Sequence, residues 1–224
     1  MSVIADSEPS EPSRALALLD RALELQNPLV ERHIAHLRRN RPEATPRQTV
    51  SRLNAELRAA TISSGAGVGA VAAAPGVGTG VALALSGVEA VAFLNAAVLY
   101  ILARGEVQGI KIADIERRRA LVMAVMLGDA GAQGIGAVAE RTGQHWARQV
   151  VRGIPQANID AVNKVLGRYF VTKYGTKKGI LVLSRVVPFG LGALIGGAAN
   201  GVSSQGIIVA STRAFGPASQ SWEV

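Results

Sequence analysis

Hydrophobic and polar positions divide the chain into two kinds of segment. In residues 13–58 apolar side chains recur three or four positions apart, as Val50, Leu53 and Leu57 do, which is typical of one face of an amphipathic helix. The same spacing returns after Asp114, which is the expected cap of another amphipathic helix. Two other runs, residues 59–88 and 186–212, contain no charged residue and consist mainly of Gly, Ala, Val and Leu. With no competing strand pattern, the sequence predicts an all-α fold, a compact helical bundle with two Gly/Ala-rich hydrophobic units.

Breaks in this pattern give the expected organisation. Thr45, Pro46 and Gln48 form a capping box that predicts a helix start, and Asn27-Pro28 predicts an interruption between two N-terminal helices. The first residues are rich in Ser, Pro and acid, which favours disorder and argues against a secretory signal. We therefore expect a disordered tail (1–12), amphipathic helices (13–58), a helical domain (59–216) and a loose C-terminus (217–224).

The glycines of the two uncharged runs indicate close helix packing. Glycine costs roughly 1 kcal/mol relative to alanine inside a helix, and repeated glycine is tolerated where backbones approach each other. We predict a helical hairpin around Pro75-Gly76 and a Gly-rich helix after Pro188. Leucine at Gly196 or Gly197 should then disrupt packing, and Gly216→Leu should do little. The predicted packing residues are Gly65, Gly69, Pro75, Gly76, Pro188, Gly192, Gly196, Gly197 and Asn200.

Net charge is +8, and its excess lies in the middle of the chain. Residues 104–185 hold fourteen Lys or Arg against six acids. Aromatic residues lie among these basic residues. This combination is typical of a surface that contacts the membrane–water interface, but it also fits a nucleic-acid-binding surface or an ordinary solvated face. The apolar flanks favour anionic lipid over nucleic acid. The candidate lipid contacts are Arg117, Arg118, Arg119, Lys173, Lys177 and Lys178.

The uncharged runs leave three geometries open. A membrane-spanning helix needs about 20 apolar residues. Each run exceeds that length but is broken by Pro or Gly, so a run spans once, enters and returns as a hairpin, or forms the core of a soluble bundle. Glu89, the one acid between residues 59 and 103, is expected in a packed or interfacial position.

Few residues suggest chemistry. The chain has no cysteine, which excludes disulfides and thiolate catalysis. The glycines of residues 76–80 lack the Lys and the preceding strand of a phosphate loop, and His33 and His36 lack a third metal ligand nearby. We predict no catalytic residue, no cofactor and no metal. Buried helix–helix hydrogen bonds are expected from polar residues near apolar surface, namely Asn158, Asp160, Asn163, Lys164 and Asn200.

The stretch from Pro188 to Phe215, with glycines at 190, 196 and 197 and Asn200 between them, resembles the C-terminal signature of the EcsC protein family. The resemblance covers roughly residues 60–216 and is of the actinobacterial type. It extends to Ala-Pro-Gly-Val-Gly at residues 74–78 and to Glu89-Ala90 in the first half. It implies a helical, membrane-associated protein and carries over no catalytic residue. The matching positions in the second half are Pro188, Gly190, Gly196, Gly197, Asn200 and Phe215.

Three functions follow as hypotheses. The leading one is a non-enzymatic, membrane-associated protein on the cytosolic face of the cell membrane, contacting anionic lipid or serving as an accessory to a membrane protein complex. The alternative is a soluble cytoplasmic bundle that uses its Gly-rich helices as a core or as a homo-oligomer interface. Nucleic-acid binding is the weakest of the three.

Overall fold

The computed structural model describes residues 11–72, 79–139, 145–174 and 192–222. Within these ranges the chain forms eight α-helices and no strand, which confirms the all-α prediction. The helices are α1 (Glu11–Asn40), α2 (Pro46–Ala72), α3 (Thr79–Val107), α4 (Ile115–Leu127), α5 (Asp129–Ala139), α6 (Ala147–Arg152), α7 (Gln156–Tyr174) and α8 (Gly192–Phe215).

Helix α2 lies between α3 and α8 and runs antiparallel to both. The Tyr100 hydroxyl of α3 donates to Asn54 Oδ1 of α2 at 2.7 Å. Arg58 Nη2 of α2 donates to Gln205 Oε1 of α8 at 2.8 Å. The α2–α8 pair has the most extensive contact in the bundle. As a result, α2 ends at the same end of the bundle where α3 and α8 begin.

This arrangement places the two uncharged runs together. Residues 59–72 of α2, 79–88 of α3 and 192–204 of α8 carry no charge and belong to three neighbouring helices. We call this part of the bundle the uncharged end. The two runs are separated by almost 100 residues of sequence, so it is the fold that brings them together.

Helix α4 is the central helix. Its residues from Ala120 to Leu127 are all buried, and α7, α5, α3 and α8 pack around it. Asp114 caps its first turn by accepting a hydrogen bond from the Arg117 backbone N–H at 2.8 Å, as predicted from the sequence. Helices α4 and α7 run in the same direction, because Asn163 bonds Glu116 near their starts and Tyr174 bonds Met126 near their ends.

Helix α1 does not break at Asn27-Pro28, so the predicted interruption is wrong. The helix continues through Pro28, although proline removes one backbone hydrogen bond at a cost of roughly 3 kcal/mol. Leu23, Val30 and Ile34, on either side of the proline, are buried in the common core. Burial of this continuous face offsets the local cost.

The chain beyond α8 is docked, in contrast to the expected loose end. Trp222 Nε1 donates to the Ala44 carbonyl at 2.9 Å, and the Arg38 guanidinium lies 4.5 Å from the centre of the indole ring. Gly216 is buried with a φ of +81°, and a Cβ there would lie 2.8 Å from His145 Nδ1. The expectation that Gly216→Leu does little is therefore wrong, because leucine would meet both backbone strain and a steric clash.

Candidate functional site

The predicted packing residues fall in the described helices only in part. Gly65 and Gly69 lie in α2, and Gly192, Gly196, Gly197 and Asn200 lie in α8, the two helices with the most extensive mutual contact. Pro75, Gly76 and Pro188 lie outside the described residues, and so does the glycine-rich turn at residues 76–78. The close-packing role of these glycines stays a prediction.

The three consecutive arginines of α4 are engaged by protein groups. Arg117 Nη1 donates to the Val150 carbonyl at 2.9 Å, and Arg118 Nε donates to the Ile112 carbonyl. Burial lowers the pKa of Arg118, with Glu31 and Asp114 opposing that effect. Each of these two side chains therefore ties α4 to a neighbouring segment. Lipid contact by these residues stays a prediction.

Lys173 also has an internal partner. Its ammonium donates to the Met126 carbonyl at 3.0 Å and lies 5.2 Å from the centre of the Tyr174 ring. The Tyr174 hydroxyl donates to the same carbonyl at 2.9 Å. Burial lowers the pKa of Lys173 and raises that of Tyr174. Lys177 and Lys178 lie outside the described residues.

One segment of the described chain, Val88–Val107 in α3, is long and apolar enough to cross a membrane. Just over half of its most hydrophobic stretch, 56%, is buried by the other helices. It also contains three charged residues, Glu89, Arg104 and Glu106, of which Glu89 and Arg104 are buried. The buried position of Glu89 agrees with the packed placement expected from the sequence.

Arg104 is the centre of a buried polar cluster. Its side chain is only 2% exposed. The guanidinium donates to the Tyr100 hydroxyl at 3.0 Å, to the Gly216 carbonyl at 3.2 Å and to Gln108 Oε1 at 3.3 Å. Within the described part of the chain these partners are all neutral, and no carboxylate pairs with Arg104. The cluster joins α3 to the segment that follows α8.

A groove of about 740 Å³ opens between α1, α4 and α7, and five of its ten lining residues are charged. Its volume lies within the range of about 300–1,000 Å³ that is usual for small-molecule sites. Three of its residues are cationic, two are acidic and three are apolar. We call it the polar groove; it is lined by Leu16, Glu116, Arg119, Asp160, Asn163, Lys164, Gly167, Arg168, Val171 and Thr172.

A hydrogen-bonded network forms the wall of the polar groove. Arg119 Nη2 pairs with Asp20 Oδ2 at 2.6 Å, and Arg119 Nη1 lies 3.7 Å from Glu116 Oε2. Asn163 Nδ2 donates to the same Glu116 oxygen at 2.8 Å and to the Glu116 carbonyl at 3.0 Å. Burial raises the pKa of the Asp20 carboxyl, and the Arg119 charge opposes that effect.

Two buried atoms of this network lack partners in the described chain. Arg119 Nε is a donor and Asn163 Oδ1 is an acceptor, and neither has a hydrogen bond there. An unpartnered buried polar group typically costs about 1–3 kcal/mol. Of the hydrogen bonding predicted for α7, Asn163 makes part-buried hydrogen bonds to α4. The prediction is wrong for Asn158, Asp160 and Lys164, which are exposed.

A smaller cavity of about 230 Å³ lies between α1, the end of α3 and the start of α4. Glu106 and Lys111 form an ion pair of 3.0 Å at its edge, and Glu31 and Arg118 also line it. Leu102 and Leu121 line the same cavity, so it lies where the end of α3 meets α4.

The histidines with metal-like spacing have other partners. His33 bonds Glu56 at 2.8 Å, and His36 bonds Asn40 at the same distance. Among the described residues there is no cluster of three or more His, Asp or Glu side chains that would hold a metal ion.

Sequence reasoning missed both Arg104 and the polar groove. Arg104 appears as the charged end of an apolar helix, and its burial depends on Gly216, which lies 112 positions away. The polar groove likewise brings together residues of α1, α4 and α7 that are far apart in the sequence. Comparison with protein-family models, with curated proteins and with solved structures found no match.

Proposed function

We propose that this chain is a non-enzymatic, membrane-associated helical protein of the EcsC type that contacts lipid on the cytosolic face of the membrane. One observation carries the proposal: the fold gathers both uncharged runs into a single uncharged end, while the charged residues of α2, α3 and α8 lie beyond it. Three neighbouring helices that are uncharged at one end and charged beyond it suit insertion into a membrane surface.

The depth of the uncharged end supports insertion into one leaflet. From Arg58 to the end of α2, and from Glu89 back to the start of α3, the helices extend roughly 15–20 Å at about 1.5 Å per residue. The hydrocarbon core of a bilayer is about 30 Å thick. The uncharged end is therefore about as deep as one leaflet and shorter than the full core.

Exposed apolar side chains border the uncharged end. Val88 is 67% exposed, and Ile62 and Val91 are also exposed. Apolar patches of this kind mark membrane or protein contacts when they are contiguous with other apolar surface. The net charge of +8 adds attraction to an anionic membrane.

One observation favours the alternative, a soluble bundle. More than half of the most hydrophobic stretch of Val88–Val107 is covered by neighbouring helices, as in the core of a soluble protein. In that case the uncharged end would be the interface of an oligomer.

Membrane fractionation tests the proposal. Cells making the protein at native level are lysed, and the membranes are washed first in high salt and then in alkaline carbonate. We expect retention through both washes, because burial of apolar surface is not screened by salt. Release in high salt, or recovery in the soluble fraction, would overturn insertion and favour the soluble bundle.

A further inference from the structure

We propose that the cavity between α1, the end of α3 and the start of α4 binds a free aliphatic α-amino acid. We call it the small cavity, and its volume is about 230 Å³. It lies near the end of α3, whereas the uncharged end of the bundle is where that helix begins. The proposal therefore goes beyond the membrane association proposed above and does not rest on it.

Two opposite charges line the small cavity without pairing with each other. Glu31 of α1 forms no hydrogen bond or ion pair among the described residues. Arg118 of α4 donates through Nε to the Ile112 carbonyl, and its two terminal nitrogens have no partner in the same part of the chain. The Glu31 charge nevertheless opposes the lowering of the pKa of Arg118 by burial, so the two groups are near each other. A ligand placed between them could contact both.

The charges that remain free define a zwitterion. Glu106 and Lys111 pair with each other at 3.0 Å, which leaves one carboxylate, Glu31, and one guanidinium, Arg118, for a ligand. The terminal nitrogens of a guanidinium suit a carboxylate, because two parallel N–H groups match its two oxygens. The Glu31 carboxylate suits an ammonium group. A ligand with only one of these charges would gain one contact and meet repulsion from the other residue.

The rest of the lining selects an aliphatic side chain. Glu31 and Lys111 are exposed, so the charged groups lie toward the mouth of the small cavity. An α-amino acid carries both of its charges on one carbon, and its side chain would enter the apolar part. A volume below the usual range of about 300–1,000 Å³ excludes larger ligands such as nucleotides. The buried apolar residues of the lining are Val30, Leu102, Ile110, Ile112 and Leu121.

Calorimetric titration of the purified full-length protein tests this chemistry. The probes are L-leucine, L-leucinamide, 4-methylpentanoate and glycine. Leucinamide lacks the carboxylate, 4-methylpentanoate lacks the ammonium group, and glycine lacks the aliphatic side chain. We expect L-leucine to bind at least tenfold more tightly than each of the other three, because it alone satisfies Glu31, Arg118 and the apolar lining together.

Neutral variants of the two charged residues should separate the probes in opposite ways. Glu31→Gln should weaken the binding of L-leucine and leucinamide at least tenfold and should not weaken that of 4-methylpentanoate, which has no ammonium group. Arg118→Gln should weaken the binding of L-leucine and 4-methylpentanoate at least tenfold and should not weaken that of leucinamide. A merely structural role of either residue would instead weaken the binding of all probes alike.

Two matched controls lie outside the small cavity. Glu24→Gln changes an exposed acid on the same helix as Glu31, and Arg117→Gln removes a neighbouring arginine that also donates to a backbone carbonyl. Both variants should bind L-leucine as wild type does. If Arg118→Gln fails to fold, Glu31→Gln still decides, because Glu31 is exposed.

Three results would overturn the proposal: no binding of L-leucine to wild type, equal affinity of wild type for all four probes, or equal loss of L-leucine binding in Glu31→Gln and Glu24→Gln. Each would leave water as the occupant of the small cavity. Release of the protein from membranes in high salt would refute the proposed insertion without affecting this assignment.

Discussion

Arg104 is a buried arginine that is held by neutral hydrogen-bond partners. A guanidinium that is 2% exposed and held by a phenol, an amide and a backbone carbonyl is satisfied by hydrogen bonds in the absence of a described counter-ion. Its planar arrangement of donors reaches α3, its own helix, and the docked segment after α8. Lysine has no comparable fork of donors.

Replacing Arg104 should therefore destabilise the whole bundle. We expect Arg104→Met to lower the free energy of unfolding by about 2–4 kcal/mol, because it leaves buried acceptors without donors. Arg104→Lys should recover only part of this loss. Arg152→Met, at an exposed position, should change it by less than about 0.5 kcal/mol. Urea unfolding of the three variants measures the difference, and equal stability of Arg104→Met and Arg152→Met would refute a structural role for the cluster.

Burial of the Tyr174 phenol makes the stability of the fold decrease at alkaline pH. Burial raises the pKa of this phenol above its usual value of 10.0, so the folded protein holds the proton more tightly than the unfolded chain does. The resulting stability is complete below pH 10 and is lost as the pH rises above 10, by up to about 1.4 kcal/mol per pH unit.

Urea unfolding at pH 9 and pH 11 tests this dependence. Wild type should lose more stability between the two pH values than Tyr174→Phe does. Tyr169→Phe, at a position that is 52% exposed, should behave like wild type. If Tyr174→Phe and wild type lose the same amount, the Tyr174 phenol does not contribute to alkaline unfolding.

At the scale of single helices, two glycines differ in what surrounds them. Gly131 in α5 lies against α4, where an added Cβ would come within 2.6 Å of Ala124 Cα and closer still to its carbonyl oxygen. Gly206 in α8 is exposed, and an added Cβ would meet no atom within 4 Å. The same substitution should therefore have opposite effects at the two positions.

We expect Gly131→Ala to destabilise the protein by about 1–3 kcal/mol, because α5 must move away from α4. Gly206→Ala should stabilise it by up to about 1 kcal/mol through helix propensity. Thermal unfolding of both variants measures the effects. A loss of stability in Gly206→Ala, or none in Gly131→Ala, would contradict the described packing.

Local signals predicted the elements better than they predicted the contacts between them. The Thr45-Pro46-Gln48 box and the Asp114 cap mark true helix starts, because capping depends on residues a few positions apart. The helix break predicted at Pro28 is wrong, because burial of apolar side chains on both sides of the proline outweighs the backbone hydrogen bond that the proline removes. The polar groove was out of reach for a related reason: Asp20 and Arg119 are 99 positions apart, and spacing within one helix contains no information about that pair.

At the scale of the whole molecule, the proposed insertion fixes an orientation. Val88 borders the uncharged end, and Glu43 lies in the α1–α2 connection near the docked Trp222, at the opposite end of α2 and α3. On this cysteine-free chain, single cysteines at the two positions report which end meets the membrane.

We expect Val88→Cys to react at least tenfold more slowly with a membrane-impermeant maleimide when anionic vesicles are present. Glu43→Cys should react at the same rate with and without vesicles. Both positions are exposed, so both should react readily in the absence of vesicles. Unchanged reactivity of Val88→Cys in vesicles that bind the protein would contradict insertion through the uncharged end.

The antiparallel pairing of α2 with α8 also has a consequence for biosynthesis. Arg58 and Gln205 are 147 positions apart, so at about 5–20 residues per second α2 leaves the ribosome roughly ten seconds before α8 is made. For that interval the uncharged ends of α2 and α3 lack the helix that packs most extensively against α2. A chaperone or a nearby bilayer would shield this apolar surface from aggregation until α8 is made.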